Sequence, residues 1–177
     1  MTIATAPRIA RNLSRTPKPK DQLSSLTQAV DVRQDNSYLI VGERTNTNGS
    51  RQFKRLLDEE DWDGLVSMAR DEVKGGAMVL DVCVDFVGRD GKRDMHEVVS
   101  RYVQQIPVPL MLDSTDPEVL EIGLRLAGGR CALNSTNLEE GEEKFGKMCE
   151  LARKYGAALV IGCIDEDPDN AMARTEQ

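Results

Sequence analysis

Five short apolar runs, each followed by a polar turn and mostly by a segment with helical spacing, constrain the fold of this chain more than any other feature. The runs occupy residues 38–41, 77–84, 108–113, 130–134 and 157–164. Runs rich in Val, Ile and Leu that alternate with helices predict βα units, and therefore a parallel sheet covered by helices. Periodicity leaves open whether the strands form a doubly wound open sheet or the first five strands of an eight-stranded barrel.

Capping residues mark where the helices begin and end. Asp61 and Gly75 bracket one helix, and the pair Asp116 and Pro117 begins another. Two further helices are expected over residues 94–104 and 138–155, with Asn137 as the cap of the last one. The sequence therefore predicts four helices between the five strands.

Composition excludes several classes of function. The net charge of -7 and the pI near 4.9 argue against a nucleic-acid surface, because phosphate binding requires a concentrated basic face. The four cysteines are widely spaced and His96 is the single histidine, so we predict no metal site. No window approaches the ~20 apolar residues of a membrane span. We expect a soluble, cytoplasmic chain that binds neither nucleic acid nor membrane.

The first 36 residues differ in character from the rest. Basic residues without an acid before Asp21 can mimic a transit peptide, whereas the two prolines of "RTPKPKDQ" are typical of an interdomain linker. We predict a linker or disordered segment over residues 1–36 and a folded domain over residues 37–177.

A carboxylate or carboxamide follows every apolar run. Because the carboxyl ends of parallel strands lie on one face, these side chains are expected to converge, although some could be ordinary helix caps. Asp113 and Asn134 lie nearer the strand end than a cap would, so we predict that they face a ligand. For Asp85 and Glu166 a structural role is favoured. The full set is Glu43, Asn46, Asp81, Asp85, Asp113, Asn134, Asp165 and Glu166.

Such a face suits a flat, neutral heterocycle that is rich in hydrogen-bonding groups. A carboxylate accepts two parallel N–H bonds from an aminopyrimidinone edge, and a carboxamide both donates and accepts. The glycines of "GAMVLD" and "AGGRC" stand before strands rather than after them, where a phosphate would bind. The pattern therefore disfavours a nucleotide site.

Five motifs in order resemble a known family. They are "GERTNTNGS", "LDVCVD", "LDST", "NSTN" and "GAALVIGCIDE", spread over about residues 36–176. Together they resemble the pterin-binding, dihydropteroate-synthase-like TIM (β/α)8 barrel of the methyltetrahydrofolate methyltransferases, most closely the folate domains of cobalamin-dependent methionine synthases. The "NVTPDSF" type of motif found in dihydropteroate synthases themselves is absent.

The resemblance implies a role for each matched residue. Asp113 would bind the amino and N3 edge of the pterin, and Asn134 the neighbouring part of the ring. Asp81 would support the ring from the second strand. The remaining expected contacts come from the first loop, namely Glu43, Asn46, Gly49, Ser50 and Arg51.

The resemblance also implies a reaction and partners. The N5 methyl of 5-methyltetrahydrofolate would pass to cobalamin, which is bound by another domain or protein, and then to homocysteine, which is bound by yet another. Departure of the methyl from N5 needs a proton source, and in the family those contacts come from strands six to eight. The catalytic residues therefore stay unknown. We expect the N-terminal portion of a barrel that pairs with a second copy, pairs with a complementary half, or is a truncated product with little activity.

Three alternatives remain from the sequence. Corrinoid iron-sulfur protein methyltransferases share the "GER-N", "LDST" and "NST" elements. A noncatalytic pterin-binding or assembly module would keep the same ring contacts. A flavodoxin-like open sheet would bind another small molecule at its strand ends.

Overall fold

A computed structural model describes residues 21–164 of the chain. The segment 1–20, which is part of the predicted linker, and the carboxylates Asp165 and Glu166 lie outside the described residues. Within the described part, no helix is both long enough and apolar enough to cross a lipid bilayer.

The described residues form seven strands and five helices. In chain order the elements are β1 (Gln22–Ser24), β2 (Ala29–Asp31), β3 (Val41–Gly42), α1 (Arg51–Asp58), α2 (Trp62–Lys74), β4 (Val79–Cys83), α3 (Gly91–Gln105), β5 (Leu110–Asp113), α4 (Pro117–Leu126), β6 (Ala132–Thr136), α5 (Glu142–Tyr155) and β7 (Ala158–Ile161).

The main sheet is parallel, and its strand order follows the chain: β3, β4, β5, β6, β7. A doubly wound sheet reverses its strand order at a switch point, whereas strands of a βα barrel are added in sequence. The order therefore confirms the predicted βα units and favours the barrel over the flavodoxin-like alternative.

Some predicted boundaries were wrong in detail. The first strand is limited to Val41 and Gly42, and Tyr38 before it is 89% exposed. The first connection holds two helices, so five rather than four are found among residues 21–164. The last helix begins at Glu142 after Gly141, and Asn137 instead accepts a hydrogen bond from the amide of Glu139 in the preceding turn.

Other capping predictions are confirmed. Asp61 accepts a hydrogen bond from the amide of Gly64 and caps α2, which ends at Gly75. Asp116 accepts from the amide of Glu118 and caps α4. Each cap satisfies an amide that has no partner within its own helix.

The two faces of the main sheet are buried in different ways. One face packs under the helices through side chains such as Leu80, Leu112 and Leu133, together with Met95 and Tyr102 of α3. The opposite face, called the inner face below, carries a smaller apolar cluster centred on Val79 and Ala132. Because successive side chains of a strand alternate between faces, the strands β4 to β7 contribute to both clusters.

An antiparallel hairpin, β1–β2, lies within the segment predicted to be a linker. Leu23 of this hairpin is 2% exposed and joins the cluster of Val79 and Ala132. Val79 and Ala132 begin their strands, so the hairpin covers the amino-terminal end of the sheet's inner face. The sequence did not predict this element, and the domain boundary at residue 37 stays a prediction.

Two glycines let the hairpin approach closely. A Cβ atom on Gly129 would lie 2.1 Å from the backbone oxygen of Ser24, which cannot move away without shifting the strand. A Cβ atom on the neighbouring Gly128 would lie 2.1 Å from a methyl carbon of the Leu26 side chain. The backbone amide of Ser24 donates to the carbonyl of Arg130 at 3.0 Å, and the Arg130 amide donates to the Ser24 hydroxyl at 2.9 Å. Hydrogen bonds therefore fix the hairpin to the turn before β6.

We predict that Leu23→Ala lowers the free energy of unfolding by about 2–4 kcal/mol, because it leaves a cavity under the hairpin. Leu26 of the same hairpin is 63% exposed, so Leu26→Ala serves as the matched control and should cost less than about 1 kcal/mol. Urea denaturation followed by circular dichroism measures both values. Equal losses in the two variants would contradict the proposed packing of the hairpin.

Candidate functional site

The inner face of the sheet changes from apolar to polar toward the carboxyl ends of its strands. Two residues beyond Val79 on β4 lies Asp81, and two beyond Ala132 on β6 lies Asn134. On β5 the same step separates Met111 from Asp113. Because side chains two apart share a face, the strand that buries an apolar residue at one end presents a polar one at the other.

Four of the predicted site residues come together at this end. The side-chain amide of Asn46 donates to Asp81 Oδ2 at 2.6 Å and to Asp113 Oδ2 at 2.9 Å. Asn134 Nδ2 donates to Asp81 Oδ1 at 3.3 Å. Asp113 and Asn134 are paired in register on adjacent strands. The convergence predicted for these residues is therefore present in the structure.

The first loop reaches the site because it continues to pair with β4 beyond the end of β3. The amide of Cys83 donates to the carbonyl of Thr45 at 3.3 Å, and the amide of Thr47 donates to the carbonyl of Cys83 at 3.1 Å. The hydroxyl of Thr45 donates to the backbone oxygen of Asp81 at 2.6 Å. This pairing places Asn46 directly beside the carboxylates.

The other predicted residues of the first loop take no part in this hydrogen-bond network. Glu43 is exposed two residues beyond Val41. A Cβ atom on Gly49 would lie 3.0 Å from the backbone oxygen of Glu43, so the turn is close-packed there. Ser50 accepts from the amide of Phe53 and caps α1, while Arg51 is exposed at the start of that helix. Their ligand contacts stay predictions.

Burial of two neighbouring carboxylates raises both of their pKa values. Desolvation is the main cause for Asp81, which is 2% exposed, and the nearby charge of Glu43 adds to it. The pKa of Asp113 rises to about 6, mainly through burial and then through the charge of Asp81. The bonds from Asn46 oppose both pKa shifts. Asp113 is therefore ionised above about pH 6.

A free cysteine, Cys83, lies buried next to the site. Burial raises the pKa of the Cys83 thiol to about 12, so the reactive thiolate is scarce at neutral pH. Thr47 and Asn48 both place polar atoms near its Sγ. Among residues 21–164, no group of three or more His, Cys, Asp and Glu side chains is arranged to hold a metal ion.

Asp85 links two loops rather than facing the cavity. Its carboxylate accepts from the Ser114 hydroxyl at 2.8 Å and from the Thr115 amide at 3.1 Å. This agrees with the structural role favoured for it. The contact ties the loop after β4 to the loop after β5 and holds the end of β5 in place.

An open cavity of ≈ 200 Å³ lies between the ends of β5 and β6 and the start of α5. Lys144 and Met148 of α5 contribute to its wall, and the polar pattern at the strand ends did not predict them. The cavity is lined by Asp113, Ser114, Thr115, Asn134, Ser135, Thr136, Asn137, Glu139, Glu140, Lys144 and Met148.

Comparison with protein families and curated relatives gives consistent matches. The sequence model for the family described as "Pterin binding enzyme" matches residues 42–177 of this chain. The methionine synthase of Mycobacterium tuberculosis (strain ATCC 25618 / H37Rv) is 43% identical over 178 residues, which cover 99% of this chain. That of Mycobacterium leprae (strain TN) is 43% identical over 97% of the chain. The chain spans 14% of the length of each of these relatives.

Solved structures share the fold. A dihydropteroate synthase from Thermus thermophilus has a TM-score of 0.51 and 24% identity, covering 88% of this chain and 52% of that one. A 7,8-dihydropteroate synthase from Vibrio fischeri ES114 has a TM-score of 0.52 and 13% identity, covering 79% and 49%. These likenesses support the barrel-type βα arrangement and, at such identities, nothing finer.

We predict that Asp113 makes stability fall as the pH rises. The pKa of Asp113 is about 6 in the folded chain and about 3.9 in the unfolded chain, so the folded chain holds the proton more tightly. The resulting contribution to stability is complete below pH ~4 and is lost as the pH rises through ~6. Asn is neutral throughout. The free energy of unfolding of the wild type should therefore drop relative to Asp113→Asn by about 1 kcal/mol over this range, allowing for solvent screening.

Urea denaturation at several pH values between about 4 and 7 measures this difference. The exposed carboxylate Asp63 supplies the control, since Asp63→Asn should track the wild type across the series. A difference between wild type and Asp113→Asn that stays constant or grows with pH would show that the folded-state pKa of Asp113 is not raised.

Proposed function

Because the chain belongs to the family of pterin binding enzymes, we propose that its site binds the pterin ring of 5-methyltetrahydrofolate for methyl transfer to cobalamin in methionine biosynthesis. The observation that carries this proposal is the pairing of Asp113 and Asn134 in register on the wall of one cavity. The similarity to the two mycobacterial methionine synthases supports the choice of a methyltransferase.

Ring recognition follows from the chemistry of these two side chains. An ionised carboxylate at Asp113 accepts two parallel N–H bonds from the amino group and adjacent ring nitrogen of the pterin. The amide of Asn134 donates to a ring acceptor and its oxygen accepts from a neighbouring donor. Glu43, Asn46 and Asp81 lie at the same end of the sheet, so Asp113 and Asn134 stand in polar surroundings when a flat ring is set against β5 and β6.

The role of these residues in the reaction is to bind and orient the substrate. Cobalamin, held by another domain or protein, would accept the methyl group, and a further domain would present homocysteine. Protonation at N5 is needed as the methyl departs, and we assign that step to no residue of this chain. Asp113 is unsuited to it in this proposal, since its carboxylate is engaged at the far edge of the ring.

We predict that Asp113→Asn weakens binding of 5-methyltetrahydrofolate by at least ~10-fold. The substitution keeps the size of the side chain but replaces one acceptor oxygen with a donor, and a hydrogen bond to a charged group is worth about 1.5–3 kcal/mol. Isothermal titration calorimetry at pH ~7.5 measures the dissociation constant. Asn134→Ala should also weaken binding.

Asp63→Asn is the matched control for this experiment, because it makes the same chemical change on the exposed surface of α2. Unchanged affinity in Asp113→Asn, with normal circular dichroism, would refute the assignment of Asp113 to the ring edge. Absence of binding by the wild-type chain would count against the proposed function as a whole.

A further inference from the structure

The side-chain amide of Asn46 is fully engaged by the protein itself. Its Nδ2 group donates to Asp81 at 2.6 Å and to Asp113 at 2.9 Å, which uses both of its hydrogens. Its Oδ1 atom accepts from the backbone amide of Asn48 at 2.7 Å. The residue is 8% exposed. Asn46 therefore has little hydrogen-bonding capacity left for a ligand.

The carboxylates that share this amide stand in an acidic environment. Asp81 faces Glu43 from the first loop, and Asp113 faces Asp85 from the loop after β4 as well as the thiol of Cys83. From β6, the neutral Asn134 donates to Asp81. Asn46 is thus the one group that donates to both carboxylates among the described contacts.

We propose that Asn46 is a positioning residue: its amide bridges Asp81 and Asp113 and thereby holds Asp113 as an oriented, ionised acceptor, without contacting the ring. This rests on the proposed function in so far as Asp113 receives a pterin. It changes the role that the family resemblance implied for Asn46, from a wall of the pocket to a support behind it.

Removal of the bridge has a distinct electrostatic consequence. Without the amide, the buried carboxylate of Asp81 and the half-buried carboxylate of Asp113 face one another with no shared donor, and like charges at short range favour protonation of one of them. Asp113 then takes up a proton at higher pH than in the wild type. A residue that only contacted the ring would leave this titration unchanged in the ligand-free chain.

The deciding experiment is a carboxyl ¹³C NMR titration of Asp113 in the whole ligand-free chain. The resonance is assigned by its loss in Asp113→Asn. We expect Asn46→Ala to raise the midpoint of the titration by about one pH unit, a tenfold increase in proton affinity. Adding Asp81→Asn to this variant should return the midpoint to or below its wild-type value, because the opposing charge is gone.

Two further variants serve as a control and as a replacement for Asn46→Ala. Asn48→Ala is the matched control, since the side chain of Asn48 touches Cys83 while its backbone amide still serves Asn46. If Asn46→Ala does not fold, the near-isosteric Asn46→Leu removes the same donors without adding a charge and should also raise the midpoint. A midpoint within ~0.3 units of wild type in a folded Asn46 variant overturns the proposal.

Calorimetry with 5-methyltetrahydrofolate between pH ~5 and ~8 connects the bridge to binding. We expect the pH at which affinity declines to move upward in Asn46→Ala together with the NMR midpoint. A loss of affinity that is equal at every pH would indicate direct ring contact and overturn the proposal. If the wild type fails to bind at all, the proposed function fails, while the NMR titration still decides whether Asn46 bridges the carboxylates.

Discussion

The alternation of side chains along five parallel strands is the constraint on which the rest of this structure depends. Side chains two apart share a face, so the inner face of β4 runs from Val79 to Asp81 and that of β6 from Ala132 to Asn134. The apolar ends pack together under the hairpin, and the polar ends meet around Asn46. A shift of one residue in the register of any strand would turn its polar group into the helix-facing core.

The same constraint explains why ionisable groups can be buried here. Asp81 and Asp113 could not stay so close in an apolar site unless donors compensated them. Asn46 and Asn134 supply those donors, and the pairing of the first loop with Cys83 places Asn46 within reach. Backbone pairing and side-chain chemistry are therefore coupled, because the loop that extends the sheet also carries the amide.

Much of this arrangement could be predicted from the sequence, because periodicity and strand-end chemistry act over short stretches. The five strands, their parallel order and the convergence of Asp113 with Asn134 follow from such local patterns. Other features depend on contacts between distant residues. The hairpin is held by contacts of Leu23 and Ser24 with residues far along the chain, and nothing near them in the sequence indicates those partners. Lys144 enters the cavity wall from α5, and the polar pattern at the strand ends indicates no contribution from a helix.

The hairpin and the sheet differ in how far along the chain their partners lie, and this has a consequence for folding. Each strand of the sheet pairs with the next one in sequence, so every step closes a modest loop. The hairpin instead contacts Arg130, 106 residues beyond Ser24. Closing so long a loop costs more chain entropy, so we expect the hairpin to dock after β5 and β6 have formed. Residues 22–31 would then form the first described element along the chain and the last one to dock.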